Sequence, residues 1–392
     1  MLDGPPDEVL AGACTWRPRV TSWLGGRLLA AEIPVSGGRI TGDVGNDIIE
    51  TLSLTVPRHA APARGADIFD WRPSSPDHPL AKNGQILDVT ILVGSVITGE
   101  VWEIRRGRFQ IKDWADDDAG IITVKAESLL ARTRDDKLKQ LSSPTGTLIS
   151  EARRLLPGGM GASFDPDLVD RPVPVTMSWA KDRLKNLHEI ASAWPALLRI
   201  DPWGQVYFRA PLPAIPVPVL TLRDGRDGTL IAAPRSDTRT GVYNEVLAST
   251  SSSDKADVQG YAAVTAGPMS VNGDYAVVTK EWSSPLIEDK EQADAAAATI
   301  LSNSTRPALA IPARIAPDPR IELDDPVEIL RGASGHMETV AATGTIPEHR
   351  VWVTESAKES AVVDLQWGWV TAYDLPLTVS DGEMRVDVGL SS

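Results

Sequence analysis

A two-residue period of apolar side chains is the feature that most restricts the fold of this 392-residue chain. Within residues 47–57 the apolar and hydroxyl side chains take opposite parities: Ile48, Leu52, Leu54 and Val56 against Ser53 and Thr55. Residues 122–126 repeat this alternation. Because successive side chains of a strand point to opposite faces, the pattern predicts strands with one buried face. The 31 glycines and 30 prolines favour many turns between such strands.

The strand pattern is interrupted in the middle of the chain, which predicts a mainly β fold with an α+β insert. Residues 1–136 are expected to form a small antiparallel β-barrel or sandwich, and 137–212 an α/β module. The β–αβ–β order suggests that 213–257 with 305–392 form a second block of similar design, which makes two β-barrels. Residues 258–304 form an insert with one helix in this division. Its two β-barrels are therefore separated by a helix-plus-hairpin module.

Local signals place the helices and the irregular segments. Apolar residues at helical spacing predict helices within 144–156 and 179–194, and an alanine-rich run predicts a third within 289–303. Residues 1–25, which contain three prolines, are expected to be irregular. Residues 58–84 lack any period and are expected to form a long loop of the kind that contacts a partner.

Charge and cysteine content restrict the function. The formal net charge of −14 disfavours tight binding to nucleic acid or to an anionic membrane, since both require a positive surface. The single cysteine, Cys14, allows neither an internal disulfide nor a thiolate metal cage, as expected for folding in a reducing cytoplasm. The chain has no apolar stretch near ~18 residues, so no membrane-spanning helix is expected.

The sequence lacks the common catalytic motifs, which predicts a protein that is not an enzyme and needs no cofactor or metal. The glycine-rich run at 158–161 has no lysine of a phosphate-binding loop. His188-Glu189 lies on a predicted helix, but Ser192 stands where a zinc protease has its second histidine. Asp116, Asp117 and Asp118 are contiguous, whereas calcium loops alternate their carboxylates, so these residues predict a solvated turn.

Four stretches resemble the baseplate or tail hub proteins of tailed phages, of the minor tail protein type found in phages of actinobacteria. Residues 46–57 (NDIIETLSLTVP) resemble the strand that opens the first tube-like barrel, and 108–126 resemble its closing hairpin. Residues 183–208 resemble the helix-plus-hairpin module of the hub. Residues 312–330 with 369–388 resemble the second barrel.

The resemblance implies a structural homotrimer at the virion tail tip, assembled in the host cytoplasm. Three chains with two tail-tube-like barrels each would present six barrels, which matches a sixfold tube to a threefold tip. The implied partners are a distal tail or tail-tube protein, the tape-measure protein and a spike or fibre protein. Genomic DNA would pass through the channel without specific binding. We expect Asp116, Asp117 and Asp118 to contribute negative charge to the channel lumen.

Two other functions stay open on the residues alone. A tail-tip cell-wall hydrolase would use a pair of carboxylates, and 53 acidic residues supply many such pairs by chance. A carbohydrate-binding receptor protein would use exposed tryptophans, of which the chain has 12 in total. We expect two or three of these tryptophans to lie at subunit contacts.

Overall fold

The computed structural model describes residues 1–62, 65–213, 217–225, 228–234, 236–237, 239, 241–251, 258–305, 309–331, 335–340, 349–354 and 364–390. Strands dominate this part of the chain, and the mainly β prediction is confirmed. The four prolines within residues 211–218 predict a stiff, extended linker, and this segment lies partly outside the described residues.

The first half of the chain contains nine strands and two helices. They are β1 (Cys14–Leu24), β2 (Arg27–Ala30), β3 (Gly37–Asp43), β4 (Glu50–Pro57), β5 (His59–Ala60), β6 (Phe69–Asp70), β7 (Ile86–Ser95), β8 (Val101–Asp116), β9 (Ile121–Ser128), α1 (Asp7–Ala11) and α2 (Leu130–Asp135). The middle of the chain contains α3 (Leu148–Leu155), β10 (Ala162–Phe164), α4 (Arg183–Ala193), β11 (Leu197–Ile200) and β12 (Val206–Arg209).

The remaining described elements are twelve strands, one α-helix and a short 3-10 helix at Val379–Asp381. They are β13 (Leu220–Arg223), β14 (Leu230–Ala232), β15 (Ser236–Asp237), β16 (Glu245–Thr250), β17 (Gln259–Ala263), β18 (Thr279–Ser284), α5 (Lys290–Thr305), β19 (Leu309–Ile315), β20 (Pro326–Arg331), β21 (Gly335–Val340), β22 (His349–Thr354), β23 (Asp364–Pro376) and β24 (Met384–Leu390).

A single 14-stranded sheet contains strands from both predicted barrels. Its main path runs β14-β19-β24-β23-β3-β4-β9-β8-β7-β1-β2, and all neighbours on that path are antiparallel. The two halves meet at the β3–β23 ladder, where Gly42 pairs with Tyr373 and Ile40 with Leu375. Among the described strands, the ladders do not close either half into a barrel, so the two-barrel prediction is not confirmed in that form.

The prediction that residues 1–25 are irregular is wrong. Strand β1 pairs with β7 over ten residues and also with β2, near one end of the sheet. The sequence of β1 shows no apolar alternation because only Val20 and Ser22 of this strand are buried. Strand β8 is a single strand of 16 residues.

One hydrophobic cluster runs under both halves of the sheet. The alternating residues predicted for β4 and β9 point into it, and Leu54 and Val124 are fully buried. Val370, Leu375 and Val386 of the second half belong to the same cluster. The two halves therefore share one core and pack as a continuous unit.

The α/β module packs a second hydrophobic cluster between its helices and its three-stranded sheet, β10-β12-β11. Helix α3 begins after Thr147, whose hydroxyl accepts the Ser150 backbone N–H, so the helix starts later than the predicted position 144. Helix α4 begins after Asp182, whose carboxylate accepts the Lys185 backbone N–H, so this helix also starts later than the predicted range of 179–194. The hairpin of the predicted helix-plus-hairpin module is β11–β12, whose strands pair antiparallel.

The predicted insert, residues 258–304, forms a small sheet together with β16, which lies before those bounds in the chain, and one helix covers this sheet. Strands β17, β16 and β18 pair in that order, and α5 packs on one face through Ala293 and Ala297. Gly260 lies so close to the helix that a Cβ atom there would stand 2.1 Å from the backbone of Ala293. The helix predicted at 289–303 is confirmed within two residues at each end.

Candidate functional site

The described residues contain no constellation that indicates metal chemistry. Within them, no group of three or more His, Cys, Asp or Glu side chains is placed to hold a metal ion. His188 lies on α4, where burial lowers its pKa below the ordinary value for histidine. The described helices include none that is long and apolar enough to cross a membrane.

The acidic turn at Asp116–Asp118 lies at the end of β8 and contacts the long loop. The Asp116 carboxylate is 3.4 Å from the Arg72 guanidinium and 3.8 Å from that of Arg58. Asp117 accepts the backbone N–H groups of Ala119 and Ile121, which shapes the turn. One of the three carboxylates is therefore compensated by arginines, while Asp117 and Asp118 are exposed to solvent.

Hydroxyl side chains line the polar face of the sheet where its two halves meet. Thr41 and Thr51 face each other across β3 and β4, with their hydroxyl oxygens 2.7 Å apart. Ser53, Thr55 and Thr123 continue the row on β4 and β9. The ladder neighbours of Ser53 are Arg39 on β3 and the exposed Lys125 on β9, so cations stand among the hydroxyls on this face.

Arginine–carboxylate pairs neutralise much of the charge on this polar face. The Arg39 guanidinium lies 2.7 Å from the carboxylate of Asp374, across the β3–β23 ladder. On β24, Arg385 forms a two-point contact with Asp387. Arg19 on β1 makes the same kind of contact with Glu103 on β8. These partners lie on both halves of the sheet, so the face is polar but largely self-paired.

A polar cluster joins the two halves beneath the sheet. The buried Arg106 of β8 donates to the carbonyl oxygens of Pro319 and Ile321, each at 2.7 Å, and its guanidinium lies over the Tyr373 ring. Tyr373 donates to Glu50 of β4. Burial raises the pKa of the Glu50 carboxyl despite the nearby Arg106 and the Tyr373 hydroxyl. This cluster fixes the 316–325 loop against both halves.

The α/β module is held to the sheet by a second ionic contact. Arg199 on β11 donates from Nε and Nη2 to the two oxygens of Asp324, at 2.6 and 3.0 Å. Beside this pair, a polar cavity of about 390 Å³ lies between the module, the sheet and the 316–325 loop. Glu50, Tyr207 and Arg209 are among its lining residues. The contact sets the position of the β11–β12 hairpin over the sheet.

Apolar side chains are exposed at both ends of β8. The hairpin between β7 and β8 exposes Val96, Ile97 and Val101 at its tip. Ile68 and Phe69 of the long loop and Ile121 of β9 are exposed at the other end. These exposed residues are not among those predicted from the sequence, although the aliphatic pair Val96-Ile97 in a hairpin turn is a signal of an exposed apolar tip.

The tryptophans divide between core and surface. Trp71, Trp179, Trp194 and Trp369 are buried. Trp203, in the β11–β12 turn, and Trp367 on β23 are exposed, and the Arg105 guanidinium lies 5.9 Å from the Trp203 ring centre. That two or three tryptophans lie at subunit contacts remains a prediction.

No protein-family model and no curated protein matches the chain. Solved structures of similar fold include a tail protein from Neisseria meningitidis MC58, with TM-score 0.61 and 11% identity over 95% of this chain and 96% of that chain. The prophage MuSo2 43 kDa tail protein from Shewanella oneidensis has TM-score 0.56 and 11% identity, with 95% and 98% covered. Prophage tail protein gp18 from Listeria monocytogenes EGD-e has TM-score 0.50 and 9% identity, with 95% of each chain covered. The chain therefore shares its fold with these proteins over nearly its whole length.

Proposed function

We propose that this protein is a structural component of a phage tail, and specifically the hub at the tail tip. The observation that carries the proposal is a fold similarity to a tail protein that spans 95% of this chain and 96% of that protein. The continuous sheet supports it, because a shared core across both halves gives a rigid wall segment.

The hub is a homotrimer in this proposal, and each half of the sheet serves as one of two tube-like units. The β3–β23 ladder joins two such units within a chain, so three chains supply six units to a ring. Such a ring matches a sixfold tube on one side and a threefold tip on the other. The division into 1–136, 137–212, 213–257 with 305–392, and the 258–304 insert remains part of this proposal.

The polar face of the sheet suits a channel wall along which DNA slides. Tight binding of DNA requires unpaired cations that release counterions, whereas Arg39 and Arg385 on this face are already paired with carboxylates. The net charge of −14 also disfavours tight binding of DNA. A lumen position for Asp116, Asp117 and Asp118 remains a prediction, with the Asp116 charge offset by Arg58 and Arg72.

The proposed neighbours are a distal tail or tail-tube protein, the tape-measure protein and a spike or fibre protein, in the virion tail tip. The exposed apolar residues at both ends of β8 support contacts with layers on either side. We propose no enzymatic activity for the chain. A zymogram on host cell walls tests this, because a cleared zone would favour the hydrolase function instead.

Light scattering of the purified protein tests the trimer. The chain mass is 42.1 kDa, and we expect a species of three times that mass. A monomer at all concentrations would contradict the trimer, and a reconstruction of the particle without this chain at its tail tip would contradict the hub.

A further inference from the structure

One end of the sheet carries several exposed apolar side chains, which we call the sheet-end patch: Ile68, Phe69, Ile121 and Val379. The exposed fractions of Ile68 and Val379 are 75% and 74%. Single exposed aliphatic residues are normal on a protein surface, but several at one place mark a contact site. The four residues therefore form a contact site only if they lie close together.

Contacts near the ends of neighbouring strands place Ile121, Phe69 and Val379 at the same end of the sheet, and Ile68 directly precedes Phe69. Ile121 begins β9 and pairs with Pro57, the last residue of β4. Phe69 pairs with Ala60, which follows β4 closely in the chain. Val379 lies in the short turn whose Asp381 accepts the Gly38 backbone N–H at the start of β3. Since adjacent strands are about 4.8 Å apart, β3, β4 and β9 span roughly 10 Å at this end.

Negative charge borders the sheet-end patch. Arg58 is engaged by Asp70 at 3.1 Å, and Arg72 by Asp116 at 3.4 Å. Asp117 and Asp118 are exposed, and neither forms a salt bridge within the described part of the chain. Arg58 and Arg72 are thus already paired with carboxylates, and the residues around the sheet-end patch carry a net negative charge.

We propose that the sheet-end patch docks onto another tail protein whose surface presents aliphatic side chains bordered by lysine or arginine. The carboxylates disfavour nucleic acid and anionic lipid as the occupant, because both are anionic. In the proposed ring, copies of this chain lie side by side, as the two halves do at the β3–β23 ladder. Such copies would leave the strand ends free, so the occupant of the patch is a different protein. This inference rests on the proposed function and names the chemistry of one partner.

The size of the patch sets the expected effect. Four side chains cover much less than the ~800 Å² per partner of a standard interface, so this contact is one of several in the assembly. Truncating central apolar anchors still costs enough to reduce association about tenfold or more. The loss is therefore measurable without complete disruption of the assembly.

The test uses phage particles that carry variant genes and the purified variant proteins. One variant combines Ile68→Asp with Val379→Asp. A second combines Asp117→Asn with Asp118→Asn, which removes both charges while the amide oxygen at 117 can still accept the Ala119 and Ile121 backbone N–H groups. The matched control combines Val169→Asp with Val175→Asp, since these valines are 80% and 77% exposed in the α/β module. Electron microscopy counts assembled tails, and light scattering and thermal unfolding check the purified proteins.

We expect both test variants to keep the mass and melting temperature of the wild type, while assembled tails fall about tenfold or more. The control should assemble normally. Normal tail counts for both test variants would overturn the inference, and so would a purified variant that dissociates, since the patch would then join copies of this chain. Absence of the wild-type protein from mature tails would instead overturn the proposed function.

Discussion

The Tyr373 hydroxyl donates a hydrogen bond to the Glu50 carboxylate at 2.5 Å, and this contact joins strands that lie 323 residues apart in sequence. Glu50 begins β4 in the first half of the sheet, whereas Tyr373 lies on β23 in the second. Arg106 approaches from β8, with its guanidinium carbon 5.1 Å from the Tyr373 ring centre. The contact therefore links the two halves of the sheet through side chains, in addition to the β3–β23 ladder.

Removing the Tyr373 hydroxyl should weaken the fold. Tyr373→Phe leaves the Glu50 carboxylate without this donor, and we expect a loss of about 1–3 kcal/mol in the free energy of unfolding. Tyr261→Phe is the matched control, because its hydroxyl donates to Glu245 at an exposed site. Urea denaturation measures the free energy of unfolding of both variants. Equal losses would show that the Tyr373–Glu50 hydrogen bond contributes no more than an exposed one.

Glu50 should give the folded protein a distinctive pH dependence. Burial raises its folded-state pKa, so its contribution to stability is complete below its unfolded pKa of about 4.3 and is lost as the pH rises through the folded value. Glu50→Gln cannot ionise and still accepts from Tyr373. We therefore expect this variant to gain stability relative to the wild type as the pH rises through that window, measured by urea denaturation. A constant difference at all pH values would contradict the raised pKa.

Glu151 should show the opposite dependence. Burial alone would raise its pKa, but Arg154 and the N–H groups of Thr145 and Trp179 together lower it below the ordinary value. Glu151→Gln replaces one acceptor oxygen with an NH₂ donor, at a cost of about 1–2 kcal/mol at neutral pH.

The stability that ionised Glu151 provides is present above its unfolded pKa of about 4.3 and is lost as the pH falls through the lower folded value. The difference between wild type and Glu151→Gln should therefore shrink in acid. Denaturation curves from pH 7 down to pH 3 measure this, and a difference that grows in acid would be contrary to the assigned contacts.

The Arg199–Asp324 pair should hold the α/β module to the sheet. Arg199→Ala leaves the Asp324 carboxylate buried without its main partner, which costs about 3 kcal/mol. Arg199→Lys keeps the charge but cannot form the two-point contact, so its loss should be intermediate. Arg17→Ala is the control, since its pair with Glu32 is exposed and contributes little. Hydrogen exchange in β11 and β12 should rise only in the Arg199 variants.

Gly42 should be intolerant of a side chain because of the Tyr373 ring. A Cβ atom at Gly42 would stand 2.5 Å from Tyr373 Cε1, so Gly42→Ala must displace the ring that reaches Glu50. We expect a loss of about 1–3 kcal/mol, and less than additive effects when it is combined with Tyr373→Phe. Gly158→Ala, where nothing lies within 4 Å of the added Cβ, is the control. Thermal unfolding of the single and double variants measures the coupling.

Local patterns in the sequence determined which segments become strands and helices when one face is buried. The alternation in β4 and β9 and the apolar stripe of α4 are visible because burial selects residue type at every second or every third to fourth position. Strand β1 has no such stripe, since most of its side chains are half-buried or exposed, and its assignment depends on ten backbone pairs with β7.

Only the tertiary structure decided how the halves of the chain are joined. Ladder hydrogen bonds form between backbone groups that every residue carries, so the sequence of β3 does not reveal that β23 is its neighbour. In the same way, the run of three aspartates predicts a charged turn, but the placement of Arg58 and Arg72 decides which carboxylate is compensated. Short-range periodicity records burial, whereas pairing partners and net local charge depend on residues that are distant in the chain.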